Sequence, residues 1–576
     1  MATIEEPIRI GDSNEPTRIA PSLPLVDLLL EEQQQVTAVE RFSQCHADIS
    51  TPLLAPYYQD LIPLSKPLPG EQYAFEVDLD ACSGCKSCVA ACHNLNGLDL
   101  GEQWRSVGLL HGVAEQLPVL QHVTTACHHC IDPACLTGCP VMAYDKDAET
   151  GIVRHLDDQC IGCQYCVFMC PYDVPQYSPS KGIVRKCDMC HDRLVVGEAP
   201  ACVQSCPNQA IRIRTVSVES VIEESESTQF LPTAPDPGIT LPTTVFKSSK
   251  PLARNLLPAD YFSANRQHSH LALVFMLVLT QLSAGAFIVG QALVSGPWAD
   301  PLMMATIRPA YAIAGFTVAM IGINAAVFHL GRPLYAFRAL LGLRTSWLSR
   351  EILAFGVFAT LALSNVIAVW LAKDQPNLIP LADTLGMLTA VSGVIGVLCS
   401  VMIYVKTRRP YWSGSQTGTK FSLTCLVLGM PIALLVSLVA CYWNSNLAVP
   451  SIMQNYGQSL CRWLMVVVAI KLAIESSVLI CLKQRRFTPL KRSALLLTGE
   501  LSMTNLLRYF FGIMGGLVLP SLLLTDKAIA TGAEGFEPLF MGFIVLLIAS
   551  LLLVGELIER YLFFAASVAP KMPGAA

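Results

Sequence analysis

Sixteen of the chain's 22 cysteines lie between Cys82 and Cys206, in four motifs of four. CSGCKSCVAAC places Cys82, Cys85, Cys88 and Cys92, and CHHCIDPACLTGCP places Cys127, Cys130, Cys135 and Cys139. CIGCQYCVFMCP places Cys160, Cys163, Cys166 and Cys170, and CDMC with CVQSCP places Cys187, Cys190, Cys202 and Cys206. Three closely spaced thiolates wrap one face of an iron–sulfur cubane, while a fourth just ahead of a proline reaches a neighbouring cluster. Three motifs end in Cys-Pro, at Pro140, Pro171 and Pro207. Structural zinc also takes CxxC pairs, but it needs neither the third cysteine three residues on nor the Cys-Pro end. Disulfide frameworks belong to short secreted chains, and this one has 576 residues. The expectation is four [4Fe–4S] clusters. Cys45, Cys399, Cys425, Cys441, Cys461 and Cys481 have no partner at ligand spacing and read as small apolar fillers.

The rest of the chain obeys a different constraint. Hydrophobic residues make up 52% and charged residues 14%, with mean hydropathy +0.47, a balance that points to a membrane. Eight apolar runs are long enough for a ~30 Å hydrocarbon layer, at about 270–294, 309–329, 351–372, 382–405, 421–443, 459–482, 508–525 and 538–565. The fourth and seventh carry several glycines, so six spans is the competing count. Lys and Arg concentrate in the loops after spans two, four and six, on the side of the cysteine domain, and the positive-inside rule then places that domain in the cytoplasm. Docking of these arginines onto the cysteine domain or a partner would explain the same bias. Net charge −5 argues against nucleic acid as a partner. Residues 1–70 read as a loose extension with one short helix near PLVDLLLEE and no secretory signal. Residues 216–265, rich in Ser, Thr, Pro and Glu, read as a linker.

The order of the four motifs resembles the iron–sulfur subunit of the dimethyl sulfoxide reductase group of molybdopterin oxidoreductases. The resemblance implies an α+β ferredoxin-like domain over 71–215 in which the first motif pairs with the fourth and the second with the third. One cluster would take Cys82, Cys85, Cys88 and Cys206, and its neighbour Cys187, Cys190, Cys202 and Cys92. The inner pair would take Cys127, Cys130, Cys135 with Cys170, and Cys160, Cys163, Cys166 with Cys139.

In the membrane half, FHLGRPLYAFRALLGLRTSWLSREILAFG closes span two and opens span three. His329 and Glu351 there could hold a quinol between them and accept its protons, since ionisable groups at membrane depth are costly and tend to be functional. An interfacial histidine and a helix N-terminal carboxylate are the structural alternatives. The stretch, with TQLSAGAF and MIYVKTRRPYW, is similar to the membrane anchor subunit of the same group, which implies a menaquinol role for His329 and Glu351. Arg332 and Arg350 are further candidates for headgroup or interface contacts. Lys471 and Glu475, four apart, with Glu556 in span eight, suggest either a proton path or a pair that neutralises itself. Only His329 lies in a span, so bis-histidine haem is not expected.

The expectation is therefore a fusion: a four-cluster domain followed by an all-α bundle of eight transmembrane helices over 266–568, in the bacterial cytoplasmic membrane. It would pass electrons from menaquinol, drawn from the quinone pool in the lipid bilayer, to a separate molybdopterin-containing catalytic subunit. A quinone reductase running in reverse, of polysulfide or formate type, and a transporter with a regulatory iron–sulfur domain are the alternatives.

Overall fold

A computed structural model describes residues 55–573, apart from 64, 115–116, 228–229, 254, 297–300, 444–451 and 526–537. The helix expected near PLVDLLLEE, and Cys45, lie outside the described residues. Residues up to Gln59 form one unit, of which the one-turn helix Ala55–Tyr58 is described, and residues from Asp60 onward form a second.

The cysteine-rich part of this second unit is built on small sheets. Strand β1 (Glu71–Asp78) is buried along nearly its whole length because it is central: β8 (Ile211–Ser217) pairs with it antiparallel and β9 (Val245–Lys247) parallel. A long hairpin, β2 (Ser106–Ala114) with β3 (Leu117–Thr125), stands beside it. Two three-residue hairpins, β4–β5 (Tyr144–Lys146, Val153–His155) and β6–β7 (Gln176–Ser178, Ile183–Arg185), complete the scaffold. The cysteines sit in the connections and on short helices: α1 (Ser87–Asn96), α2 (Ala134–Gly138), α3 (Tyr165–Met169) and α5 (Ala201–Gln204) carry cysteines, and α4 (His191–Val195) begins directly after Cys190.

The stretch read as a linker is built into this domain. Its β9 joins the main sheet, so the strand that ends at Ser217 and the segment beyond it belong to one packed unit. Thr240, Thr243 and Thr244 are buried, and Thr244 Oγ1 bonds His128 Nδ1 at 2.9 Å. Its low apolar content hid this because the segment seals the domain by hydrogen bonding. Met572, beyond the last span, is also buried in this domain, among Val77, Leu110 and Tyr172.

Among the described residues, eight helices are long and apolar enough to cross a membrane: Leu271–Ser295, Thr306–His329, Trp347–Leu371, Pro376–Val405, Gly414–Tyr442, Met453–Lys483, Ser502–Thr525 and Leu539–Ala565. We number them spans one to eight. Span five begins well before the expected 421, its first two turns being polar and so without an apolar signal. Two of those residues, Thr417 and Lys420, are buried against other helices.

Lys420 leads into a buried network of charges. Lys471 lies 3.9 Å from Glu475, the partner expected from spacing, yet its ammonium bonds Glu556 of span eight and Thr424 of span five, the latter at 2.5 Å. Glu475 instead takes Arg508 of span seven through both oxygens, at 2.9 and 2.8 Å. Arg508 also reaches Glu556 at 2.9 Å. Three helices are thus tied by buried charges, with span five joined to them through Thr424, and removing one charged partner strands the other. Lys471→Met should lower unfolding stability in detergent by about 3–5 kcal/mol. Adding Glu556→Gln should recover a substantial part of that loss, as read by thermal melting of both variants.

Candidate functional site

Each cysteine motif must turn its backbone sharply to aim successive thiolates at one point. The residue two after the first cysteine is left-handed in all four: Gly84 at φ 75°, His129 at 41°, Gly162 at 70° and Met189 at 61°. Glycine occupies this position in two motifs at no steric cost, and the other two accept the strain. Backbone N–H groups then point back at sulfur: Gly162 N donates to Cys160 Sγ and Met189 N to Cys187 Sγ, both at 3.4 Å. Ala143 N and Ala210 N donate to Cys139 and Cys206 Sγ at 3.2 Å. Such donors favour thiolate over thiol and tune whatever the sulfur binds.

The thiols gather across motifs. Cys82, Cys85, Cys88 and Cys206 line one small cavity, and Cys127, Cys130, Cys135 and Cys170 line another. Cys163 and Cys166 face Cys139 and Cys160, while Cys187 and Cys190 face Cys92, and Cys190 also faces Cys202. Among the described residues no three Cys, His, Asp or Glu side chains close on a single-ion point, as ~2.3 Å zinc–sulfur bonds would require. Thiols spread around a cavity fit a bulkier group, and an iron–sulfur cubane is one.

Two buried cations stand between these sets. Burial disfavours the Arg105 cation, but Cys202, Cys88, Cys187 and Cys92 outweigh it and hold the group above its usual range. Lys186 is treated alike: burial pulls it down, and Cys127, Cys135 and Cys187 raise it overall. Each therefore bridges neighbouring sets and would offset the negative charge of thiolate-bound centres there. Neither was singled out from sequence, since a lone Arg or Lys carries no spacing signal.

The cysteine domain meets the membrane half through the loop between spans two and three. Gly331 packs so closely that a Cβ there would lie 2.0 Å from Gly182 O, and one on Gly162 would lie 2.9 Å from Gly331 N. Arg332 N donates to Ile161 O at 3.0 Å, and its guanidinium donates to Asp157 O at 2.8 Å. Further along, Gly342 N donates to Pro140 O at 2.8 Å and Ser346 Oγ to Gly138 O at 2.7 Å. The loop thus grips the second and third motifs by their backbones.

Directly behind this joint lies an apolar cavity of about 200 Å³ whose wall includes His329, Glu351, Tyr404, Tyr165 and Cys163. Cys163 belongs to the third cysteine motif, so one cavity touches both halves of the chain. Glu351 is 2% exposed, and Ser400 Oγ donates to its Oε1. His329 Nδ1 bonds the Ala326 carbonyl; a carbonyl can only accept, so Nδ1 carries the proton and neutral His329 keeps Nε2 as an acceptor. Tyr165 Oη donates to Ile403 O at 3.0 Å, tying α3 to span four. Arg332 and Arg350 are absent from the cavity wall. Arg350 is held by the Leu343 and Arg344 carbonyls at 3.1 and 2.8 Å and lies over the Trp347 ring. Both arginines order the loop that carries the site.

Comparison with known proteins gives two family matches: "4Fe-4S dicluster domain" over residues 119–216 and "DMSO reductase anchor subunit (DmsC)" over residues 265–566. The B subunit of the anaerobic dimethyl sulfoxide reductase of Haemophilus influenzae is 35% identical over 191 residues, 31% of this chain and 91% of that one. The "Formate dehydrogenase-O iron-sulfur subunit" of Escherichia coli is 36% identical over 162 residues, 25% of this chain and 54% of that one. The "Thiosulfate reductase electron transfer subunit PhsB" of Salmonella typhi is 39% identical over 146 residues, 24% of this chain and 74% of that one. These three relatives align with about a third of the chain or less, whereas the anchor family spans its membrane half.

The joint can be tested by itself. Gly331→Val should force the Gly182 carbonyl away and expose the 331–346 loop to protease, while iron content stays unchanged. Limited proteolysis with iron analysis reads both.

Proposed function

Because the chain belongs to the DMSO reductase anchor subunit (DmsC) family and carries the iron–sulfur subunit of the same complexes on one polypeptide, we propose that it oxidises menaquinol and delivers the electrons to a separate molybdopterin-containing catalytic subunit. The coarser role follows from family membership: it is a multi-pass membrane protein and an electron-transfer iron–sulfur subunit with its own anchor. The observation that carries the finer reading is the cavity that His329, Glu351 and Cys163 share.

The cavity is apolar enough to take a naphthoquinol ring and has two polar acceptors where the ring's hydroxyls would lie. His329 Nε2 accepts one hydroxyl proton. Glu351, held in place by Ser400, accepts the other. The aromatic walls exclude water, so the protons go to these groups rather than to bulk solvent.

Four [4Fe–4S] clusters fit the four thiol sets and, when bound, would supply one-electron conduction away from the quinol. The residues that would hold them are Cys160, Cys163, Cys166 with Cys139 nearest the cavity; Cys127, Cys130, Cys135 with Cys170; Cys187, Cys190, Cys202 with Cys92; and Cys82, Cys85, Cys88 with Cys206. Arg105 and Lys186, shared between sets, support this order as a row. Cys85, exposed to solvent, puts the last set where a catalytic subunit could dock.

We place the protein in the bacterial cytoplasmic membrane with the iron–sulfur domain inside. Part of the loop charge has another use, since Arg332 and Arg338 grip the Asp157 and Asp158 carbonyls and Arg409 lies over Phe168. The orientation therefore leans on Lys406, Arg408, Lys483, Arg485 and Arg486. The formate dehydrogenase relative favours a second reading, the same site run in reverse, with His329 and Glu351 donating protons to a quinone.

His329→Ala and Glu351→Gln should each cut menaquinol-driven reduction by 10²-fold or more, roughly the worth of a positioned acid–base group. Iron content and reduction by dithionite should be unchanged. Either variant at the wild-type rate overturns the assignment, and cluster potentials measured against menaquinone decide the direction.

A further inference from the structure

A quinol that gives up two electrons also gives up two protons, and the cavity that takes it is lined almost wholly by apolar side chains. The protons need a way out. The buried charges of spans five to eight are the obvious candidates, but an aromatic wall stands between. Tyr404, on the cavity wall, packs against Trp412, Phe421, Phe563 and Phe564 at ring-centroid distances of 5.0–5.9 Å. Arg560, the charge on the far side, is itself stacked 3.9 Å from the Phe421 centroid. Neither Glu556 nor Lys471 reaches the cavity.

The opposite rim is different. Span one begins at Leu271, and its Leu273 and Leu277 line the cavity. His270 caps that helix one turn ahead of Leu273, on the same face as both, because residues three and seven apart share a side. Its ring meets Phe168, another cavity residue, edge-on with centroids 6.4 Å apart. His268 follows with ring centroids 4.9 Å from His270 and is exposed to solvent, while His270 and His329 are half-buried. The strand of chain carrying them is pinned where it enters the bundle, as Gln267 N donates to Ala565 O at 3.0 Å. Burial, with the neighbouring His268 and His329, lowers His270 to about 4. It therefore rests neutral and able both to take a proton and to pass it on.

We propose that His270 and His268 form the proton exit of the quinol site, carrying protons from His329 Nε2 to the aqueous face on the iron–sulfur side. This rests on the quinol reading of the cavity. Menaquinol becomes menaquinone by giving up two electrons, which a cluster held by Cys163 and its partners would take one at a time and pass on, and two protons, one to His329 Nε2 and one to Glu351. His329 hands its proton outward from Nε2, because Nδ1 stays bound to the Ala326 carbonyl. It is then free to receive the second proton from Glu351 across the vacated cavity. His270 and His268 touch neither quinol nor cysteine, so they govern how fast the site unloads and leave binding alone.

The test uses the full-length protein with its clusters assembled, in lipid nanodiscs, mixed rapidly with menadiol. Bleaching of the iron–sulfur absorbance gives the rate, and fluorescence quenching by menadione gives the affinity. His268→Ala/His270→Ala should slow reduction by roughly tenfold or more, with menadione affinity and dithionite reduction unchanged, and millimolar imidazole should restore the rate. His270→Gln, which keeps the shape and a hydrogen bond but cannot titrate, should be as slow as His270→Ala. A double variant that reduces at the wild-type rate overturns the exit, and so does a slowing matched by an equal loss of menadione affinity. If wild-type protein itself neither binds menadione nor is bleached by menadiol, the quinol reading falls and takes the exit with it.

Discussion

The contact among Gly162, Gly182 and Gly331 fixes almost everything else. Three backbones with no Cβ between them touch where the third cysteine motif meets the loop between spans two and three. That contact brings Cys163 to the wall of a cavity whose other polar residues come from the membrane. Side chains of ordinary size would hold the halves apart by several ångströms, and the cavity would then have neither its Cys163 wall nor its seal from water. The surrounding backbone bonds from Arg332, Gly342 and Ser346 hold a spacing that the glycines make possible.

Charge is handled in opposite ways on the two sides of this joint. In the cysteine domain isolated cations face clusters of sulfur, with Arg105 and Lys186 set among thiols and N–H groups aimed at individual sulfurs. In the bundle, Lys471, Glu475, Arg508 and Glu556 close on one another. A closed network specifies which helices pair, because any exchange of partners strands a charge in low dielectric. The aromatic wall around Tyr404 keeps that network from the cavity of His329 and Glu351, where, on the proposed quinol reading, an extra fixed charge would shift the balance of quinol and quinone.

Much of this was legible in the sequence, for reasons that differ by residue. The sixteen cysteines carry their chemistry in their spacing, and the eight spans in their length, so both were open to reading. His329 and Glu351 stood out because ionisable groups are rare at membrane depth. Three things stayed hidden. Span five's start was obscured because Thr417 and Lys420 look like loop residues until other helices bury them. Glu475's true partner lies 33 residues away on another helix, beyond any local pattern. The segment 216–265 has the composition of a linker, and its role as a seal depends on threonines that find partners such as His128 only in three dimensions.

Met572 adds a consequence in time. It is buried among Val77, Leu110 and Tyr172, yet a ribosome makes it only after all eight membrane helices. The cysteine domain therefore remains unplugged, with an apolar slot open, throughout the insertion of the bundle. During that interval the slot lined by Val77, Leu110 and Tyr172 stays uncovered, and it closes only once residue 572 has been made.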